Sequence, residues 1–427
     1  MSQATSEVGR TVLVIGGGIA GAATADRLSH SGFNVVMIEK KPHIGGFIAD
    51  MGCKSLGECQ NCNICSAIKI LKSVVKSSHI RLVASAHLDA LESMRGGTSF
   101  QARISHCPSF IRRENCIGCG ACILYCPHNA IKVATPSIYG GIPVVRPEAC
   151  VRMGGADCAK CRDACPMSAI DYDADTSGMV LEADAVVVAT GFQPALDVGD
   201  ESLGYGRVPN VITAMDVEQQ LTRRRKLVRP TDGVVPARIA FIQCPLPQEA
   251  LSDPAGRAAT VRASGVLQSH PVRLAAKLLQ ANVQNQATFF YGTDGAADSG
   301  LQALAAALPG RVGLRSTVMK RVGALPSDHD RVVVDYVVCE GEPPLSEVFD
   351  LVVLAVGMKP SEEAGALADS LRLRRDAAGF FSKRAGAVQS PYPHVYVVGA
   401  CEGPKDIADT LRQAEETVTQ MVSDLKS

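Results

Sequence analysis

Residues 11–46 read "TVLVIGGGIAGAATADRLSHSGFNVVMIEKKPHIGG", and this stretch decides the fold. The apolar run Thr11–Ile15 predicts a buried parallel strand, the small residues of Ala22–Leu28 predict a helix, and Asn34–Glu39 predicts the next strand. A strand, a glycine turn, a helix and a second strand in this order predict an α/β fold with a Rossmann-type sheet.

The glycines between the first strand and the helix have the spacing G-x-G-x-x-G, at Gly16, Gly18 and Gly21. The first glycine permits a tight turn, the second lets the backbone approach a pyrophosphate, and the third packs the helix on the strand. Glu39 ends the second strand, where a carboxylate accepts hydrogen bonds from a ribose diol and repels a 2′-phosphate. The sequence therefore predicts dinucleotide binding, with a purely structural turn as the alternative.

Length and composition bound the class of protein. The chain has 427 residues, which predicts two or three domains, and 46% hydrophobic with 20% charged residues is typical of a globular protein. Its formal net charge is zero, so no nucleic-acid footprint is indicated. The first residues lack the pattern of a secretory signal, and no apolar run reaches membrane length. We therefore expect a cytoplasmic protein, whose only route to a membrane is through partner subunits.

Twelve of the sixteen cysteines lie in three groups between residues 53 and 165. Disulfide scaffolds suit short secreted chains, so we expect metal or redox chemistry instead. The second group has the spacing C-x2-C-x2-C-x3-C-P of bacterial ferredoxins, in which the fourth cysteine ligates the other cluster. The third group repeats this pattern with a longer first spacing, and "CPMSAI" echoes "CPHNAI".

We accordingly predict two [4Fe–4S] clusters in a ferredoxin-like insert, with two zinc sites as the weaker alternative. One cluster takes Cys116, Cys119, Cys122 and Cys165, and the other takes Cys126, Cys150, Cys158 and Cys161. The intervening Gly118 and Gly120 are expected to bring backbone N–H groups close to the cluster.

The first cysteine group, Cys53, Cys59, Cys62 and Cys65, leaves three hypotheses open: a third [4Fe–4S] cluster, a redox disulfide, and a zinc knuckle. We favour the third cluster, with Cys107 as a substitute ligand. Of the isolated thiols, Cys339 is expected to be a small buried apolar residue, and Cys401 lies in a loop expected to face the nucleotide.

A second glycine pair, Gly45 and Gly46, and the run "VVVATG" at 186–191 complete a pattern that resembles the two-dinucleotide-binding disulfide reductases. That resemblance implies FAD at the first site. It also implies a second nucleotide in residues 233–348, but the strand there runs into "FIQCPLPQE" without a glycine fingerprint. We expect a second domain that keeps the fold without NAD(P)H.

Four stretches together resemble one family. They are "VIGGGIAG" with "VVMIEK", the cysteine run 53–65 with "HIRLVA" after it, "RRENCIGCGACILYCP" with "VRPEACVRMGGADCAKCRDACP", and "GACEGPKDIADTL". In these the chain resembles the A-type iron–sulfur flavoprotein subunit of heterodisulfide reductase and its homologues, over nearly its whole length. Two departures are the absence of extra terminal cluster modules and of a cysteine quartet after "FIQC", where only Cys244 remains.

The resemblance implies which residues bind the flavin, and it places Lys277 near the flavin ring. The implied cofactor-binding residues are Gly16, Gly18, Ala20, Gly21, Glu39, Lys40, Gly45, Gly46, Ala189, Thr190, Gly191, Gly399, Gly403, Lys405, Asp406 and Thr410. The implied domains are an FAD-binding domain in three parts (1–105, 179–232 and 349–427), a ferredoxin-like insert (106–178) and a second dinucleotide-fold domain (233–348).

The resemblance also implies an oxidoreductase that works within a complex and passes electrons between FAD and clusters. Its implied partners are B- and C-type subunits, with a ferredoxin, a hydrogenase or dehydrogenase subunit, and a second copy of the chain as further candidates. The alternatives are the flavoprotein of a quinone-interacting membrane-associated complex, a stand-alone NAD(P)H- or ferredoxin-linked reductase, and a non-catalytic assembly protein.

Overall fold

The computed structural model describes most of the chain. The described residues are 9–55, 58–59, 61–106, 110–112, 115–133, 143–145, 149–172, 177–195, 203–243, 265–292, 299–325, 328–339, 341–382 and 392–426. We refer below to a first unit, an insert and a second unit, each defined by its strands and helices.

The first unit is built on a parallel sheet of order β20-β9-β1-β2-β3. Its strands are β1 (Thr11–Ile15), β2 (Asn34–Glu39), β3 (Ile80–Ala84), β9 (Ala185–Val188) and β20 (Val395–Val397). Helices α1 (Ile19–His30), α2 (Ile64–Lys76) and α9 (Ile407–Lys426) bury their apolar faces on one side of the sheet. The strands are apolar on both faces, as parallel strands covered on both sides must be.

The other side of this sheet is covered by an antiparallel sheet and a helix. The antiparallel sheet has the order β4-β5-β8, from β4 (Ala86–Met94), β5 (Ser99–His106) and β8 (Ser177–Ala183). Helix α8 (Ala364–Leu371) packs into the same apolar cluster. Because β5 and β8 pair with each other, the chain leaves and re-enters the first unit at neighbouring points, and the insert lies between them.

The insert covers 110–172. It contains two short helices, α3 (Ala121–Leu124) and α4 (Lys160–Asp163), and a hairpin of β6 (Ile131–Val133) with β7 (Pro143–Val145). An isolated bridge between Ile111 and Ile170 joins the two ends. Its core is small and consists largely of isoleucines and cysteines, so cysteine chemistry is central to how it holds together.

The second unit is also α/β. Its parallel sheet has the order β11-β18-β12-β13-β14, from β11 (Val211–Thr213), β12 (Arg238–Gln243), β13 (Gln286–Tyr291), β14 (Val312–Ser316) and β18 (Leu351–Ala355). Helices α5 (Ala214–Arg224), α6 (Gly265–Ala281) and α7 (Ser299–Ala307) cover one face. The antiparallel strands β15 (Val318–Leu325), β16 (Asp328–Val337) and β17 (Leu345–Phe349) cover the other.

The return of the chain to the first unit comes later than the sequence suggested. We expected residues 349–427 to belong to the first unit, but β18 pairs with β11 and β12 inside the second sheet. The first sheet is reached again only at β20. A run such as "LVVLA" is suited to any buried parallel strand and carries no signal for which sheet it joins. Between the units, β10 (Phe192–Pro194) pairs with β19 (Met358–Pro360).

Across the described ranges, none of the helices has the length and apolar character needed to span a bilayer.

Candidate functional site

A cavity of about 1030 Å³ lies between the first and second units. It opens at the carboxyl ends of the first sheet's strands, where ligands of open α/β sheets bind. Thirteen of the residues implied for the cofactor line it: Gly16, Gly18, Ala20, Glu39, Lys40, Gly45, Gly46, Ala189, Thr190, Gly191, Lys405, Asp406 and Thr410. Their assignment to a flavin stays a prediction, but the fold brings them together around one cavity.

The glycine turn shows why each fingerprint position lacks a side chain. Gly16 has φ +108°, and a Cβ there would lie 2.4 Å from the carbonyl oxygen of Ala189. A Cβ on Gly21 would lie 2.0 Å from the carbonyl oxygen of Gly16. A Cβ on Gly18 would meet no protein atom within 4 Å, and Gly18 faces the cavity. Gly16 and Gly21 are thus required by packing, whereas Gly18 leaves open space that a pyrophosphate fits.

Glu39 is held in place by backbone donors. Its Oε2 accepts a hydrogen bond from the Gly17 N–H at 2.7 Å, and its Oε1 accepts one from the Lys41 N–H at 2.8 Å. The side chain is buried and lines the cavity. These bonds orient the carboxylate, and each oxygen keeps a second lone pair for a ribose hydroxyl.

The loop before α9 and the first turn of that helix form another part of the cavity wall. Lys405 donates to the Gly399 carbonyl at 3.0 Å and to Glu402 at 2.7 Å, so its ammonium braces the loop. Asp406 caps the helix, because its side chain accepts from the Asp409 N–H at 2.7 Å. Gly399 packs against Ala20, where a Cβ would lie only 2.4 Å from the alanine Cβ. Gly399 and Gly403 shape this loop without lining the cavity.

Sequence reasoning missed an aromatic pair in the cavity wall. Phe47 and Phe192 stack with ring centroids 4.5 Å apart and an interplanar angle of 16°. Both line the cavity, and Lys41 Nζ lies 5.5 Å from the Phe47 ring centroid. Each phenylalanine follows a glycine that the sequence did single out, Gly46 and Gly191, and this adjacency is the signal that could have identified them.

Two small cavities in the insert are each lined by four cysteines. The first, which we call cavity A, is lined by Cys116, Cys119, Cys122 and Cys165. The second, cavity B, is lined by Cys126, Cys150, Cys158 and Cys161. Each cavity therefore takes three thiols from one half of the pseudo-repeat and one from the other, which is the grouping that the ferredoxin pattern predicts.

The two halves share their local geometry. The Ala130 N–H donates to Cys126 Sγ at 3.3 Å, and the Ala169 N–H donates to Cys165 Sγ at the same distance. Between donor and acceptor, Asn129 and Ser168 have φ of 49° and 47°, so the backbone turns in the same way. N–H groups directed at sulfur are one means by which a protein tunes an iron–sulfur centre.

The two cavities differ in the side chains that lie beside their thiols. Burial and the neighbouring thiols raise the pKa of Cys122 in cavity A to about 11, and that cavity has apolar walls. In cavity B, Tyr172 Oη lies 2.9 Å from Cys161 Sγ, and Arg152 lies 5.2 Å from the Tyr172 ring centroid. Burial and the contact with Cys161 raise the pKa of Tyr172 far above its ordinary value. Its hydroxyl is therefore protonated and able to donate to sulfur.

The first cysteine group is less enclosed. Cys53, Cys59 and Cys65 are exposed, and Cys62 is half-buried and lines the main cavity. Cys65 lies in the first turn of α2. Over the described ranges, no three His, Cys, Asp or Glu side chains converge on a single metal-ion position. Whether this quartet binds a cluster stays a prediction; its substitute Cys107, like Cys244, is outside the described residues.

A buried ion pair beside this quartet is the largest feature that sequence reasoning missed. Lys54 is paired with Glu218 of α5, and their side chains are 4% and 1% exposed. His270 Nε2 of α6 lies 2.9 Å from Glu218 Oε1. Burial would raise the pKa of Glu218, but the hydrogen bond from His270 and the charge of Lys54 outweigh it and lower the pKa. Lys277 does not line the main cavity, and its Nζ donates to the Cys53 carbonyl at 2.6 Å.

Cys401 is expected to resist alkylation in the native, cofactor-free protein. Burial, followed by the charge of Glu402, raises the pKa of its thiol to about 12. At pH 8 only about one molecule in ten thousand then carries the thiolate. We expect iodoacetamide to modify Cys339, which is exposed and not buried as expected from the sequence, and to leave Cys401 unmodified. Mass spectrometry of the peptides measures both, and equal modification of the two thiols would contradict this assignment.

Comparison with family models identifies two segments. Residues 14–51 match the NAD(P)-binding Rossmann-like domain, and residues 115–169 match the 4Fe-4S dicluster domain. The first match contains the glycine turn and Glu39, and the second contains the eight cysteines of cavities A and B.

Comparison with characterised proteins extends the likeness to the whole chain. It is 28% identical to the A-type subunit of the ferredoxin:CoB-CoM heterodisulfide reductase of Methanosarcina mazei, over 99% of this chain and 54% of that protein. It is also 28% identical to an A-type iron-sulfur subunit of the CoB–CoM heterodisulfide reductase of Methanopyrus kandleri, over 97% of this chain and 64% of that protein. The chain is a relative of the A-type heterodisulfide reductase subunits. The resemblance inferred from the sequence is thereby confirmed, and the chain spans between half and two thirds of the length of these A-type relatives.

Solved structures agree on the fold of this heterodisulfide reductase relative. The thioredoxin reductase of T. acidophilum matches with a TM-score of 0.56 and 14% identity, over 98% of this chain and 100% of that one. The thioredoxin reductase of Lactococcus lactis matches with a TM-score of 0.52 and 12% identity, over 97% and 99%. These matches confirm the predicted two-dinucleotide-binding fold, and the dicluster match at 115–169 confirms the ferredoxin-like insert.

The residues present fit the two kinds of cofactor. The open space at Gly18, the oriented Glu39 and the first turn of α9 suit a dinucleotide in the main cavity. Four thiols with N–H groups nearby suit an iron–sulfur cluster in each of cavities A and B. The match to the 4Fe-4S dicluster domain thus supports iron–sulfur clusters in the insert, and the match to the Rossmann-like domain supports a dinucleotide in the first unit.

Proposed function

We propose that this chain is the electron-transferring iron–sulfur flavoprotein subunit of a heterodisulfide reductase-like complex. FAD occupies the main cavity, two [4Fe–4S] clusters occupy cavities A and B, and a third cluster is bound by the first cysteine group. The observation that carries the proposal is the presence of two four-cysteine cavities in the same chain as a dinucleotide cavity whose wall includes Cys62.

When bound, FAD supplies the exchange between electron pairs and single electrons. The chain contributes binding and orientation. The glycine turn and the positive end of α1 receive the pyrophosphate, Glu39 receives the ribose, and the stacked Phe47 and Phe192 form an apolar wall that excludes water. The cysteine thiolates and the N–H groups at Cys126 and Cys165 set the environment of the clusters.

Partners follow from the proposed role. The A-type relatives are named as parts of reductases that act on the CoB-CoM heterodisulfide, and several are named with ferredoxin. We propose that this chain likewise passes electrons to or from B- and C-type subunits within a complex. A ferredoxin, a hydrogenase or dehydrogenase subunit is the proposed external carrier.

Anaerobic isolation of the native complex tests this function. We expect about twelve irons per FAD, because three [4Fe–4S] clusters are proposed. Dithionite should bleach the flavin and produce cluster signals in electron paramagnetic resonance (EPR) spectra. About eight irons would remove the third cluster from the proposal, and flavin reduction without any cluster signal would overturn it. Co-purified subunits identify the partners.

A further inference from the structure

The segment 50–54, which contains the first cysteine of the first group, contacts the second unit at three of its five residues. Asp50 Oδ2 accepts from Gln219 Nε2 at 3.3 Å, and Lys54 forms its buried ion pair with Glu218. The Cys53 carbonyl accepts from Lys277 Nζ at 2.6 Å. Three contacts from two different helices thus fall within residues 50–54.

The middle of this segment is also fitted closely to α5. A Cβ on Gly52 would lie 2.8 Å from Thr222 Oγ1, so the backbone of the segment lies directly against the helix. Glu218, Gln219 and Thr222 have the spacing i, i+1 and i+4, which places them on one face of α5. We call these three residues, together with Lys277, the clamp.

The helices that carry the clamp are anchored in the core of the second unit. Val217 on α5 and Leu274 on α6 are fully buried in the same apolar cluster. A capping box fixes the start of α5, since Thr213 and Asp216 exchange hydrogen bonds. His270 connects α6 to α5 through Glu218. The clamp therefore stands on two helices that are anchored in the core, with Glu218 buried and the contacts of Lys277 and Thr222 at the surface.

We propose that the second unit positions the first cysteine group at the wall of the main cavity, with Lys277 and Glu218 as positioning residues. The inference rests on the proposed function in that it takes Cys53, Cys59, Cys62 and Cys65 as cluster ligands. It gives the second unit, in which no nucleotide fingerprint follows strand β12, a role in the same electron path. It also gives Lys277 the role of holding the Cys53 carbonyl.

Lys277→Met tests the clamp, because methionine keeps the length of the side chain and loses the donor to the Cys53 carbonyl. In cofactor-free full-length protein, we expect amide hydrogen exchange of residues 50–55 to become more than about tenfold faster, while residues 116–126 are unchanged. Lys277→Arg should restore most of the protection. Lys72→Met, on the exposed face of α2, is the matched control and should leave both segments unchanged.

The same variants are then compared in the anaerobic holoprotein. We expect Lys277→Met to lower the iron content from about twelve towards about eight per chain, with the EPR signals of the insert clusters and the flavin content retained. Glu218→Gln should act in the same direction. Unchanged exchange of residues 50–55 in both variants overturns the clamp. Eight irons in the unaltered protein removes the third cluster instead, and the exchange measurement still decides whether the clamp exists.

Discussion

Replacing Gly18 with alanine should remove the flavin and leave the fold intact. The new methyl group meets no protein atom within 4 Å, but it projects into the cavity where the pyrophosphate is proposed to lie. We expect FAD affinity to fall more than about tenfold, which corresponds to at least about 1.4 kcal/mol. The free energy of unfolding of the flavin-free chain should change by less than about 1 kcal/mol, because Gly18 has φ −68° and alanine accepts this conformation.

Gly21→Ala is the matched control, since it adds the same methyl group one helical turn away. Here the methyl carbon would lie 2.0 Å from the Gly16 carbonyl oxygen, so α1 must move away from β1. We expect this variant to lose about 3 kcal/mol of stability even without flavin. Flavin absorbance and urea unfolding of the two flavin-free variants make the comparison. If Gly18→Ala retains FAD at the affinity of the unaltered chain, the pyrophosphate does not lie at this turn.

Replacing Cys165 with serine should change the cluster proposed in cavity A. In the sequence Cys165 follows Cys161 and the other cysteines of cavity B, but in the structure it lines cavity A. Cys165 lies with Cys116, Cys119 and Cys122, and thiolate is a far better iron ligand than hydroxyl. We expect the EPR signal of one insert cluster to be lost or converted, and the signal of the other to remain. Iron content should fall by about one to four per chain.

Cys126→Ser is the reciprocal experiment. It should affect the opposite signal, because Cys126 lies in cavity B with Cys150, Cys158 and Cys161. Cys119→Ser should reproduce the spectrum of Cys165→Ser, and Cys158→Ser should reproduce that of Cys126→Ser. If Cys165→Ser instead matches Cys158→Ser, each half of the repeat would bind its own cluster, and the crossed assignment would be wrong.

Patterns that repeat at fixed spacing could be predicted from the sequence. The turn needs glycine at position 16 for its positive φ and at position 21 for the close approach to the Gly16 carbonyl, and such local demands leave a recognisable spacing. The crossed grouping of Cys126 and Cys165 could also be predicted, because ferredoxin spacing encodes a fixed fold. The fold class followed from these two motifs.

Contacts between distant residues could not be predicted. Lys54 and Glu218 are ordinary charged residues 164 positions apart, and no periodicity marks that they will be buried together. Lys277 was singled out by family resemblance, but its donor contact to the Cys53 carbonyl has no sequence signal. The placement of β18 failed for the same reason, since strand partners depend on the assembled sheet and not on the strand.

The main cavity and the two insert cavities differ in how much of the chain must be synthesised before they can form. Cavities A and B are closed by residues 111–172 alone, whereas the wall of the main cavity runs from Gly16 to Thr410. During synthesis the insert can therefore acquire iron and sulfide while the C-terminal half is still being translated. The proposed FAD site is complete only after β20 joins the sheet beside β9 and α9 packs against it. If the proposed cofactors are bound, the chain topology lets the clusters assemble before the flavin binds.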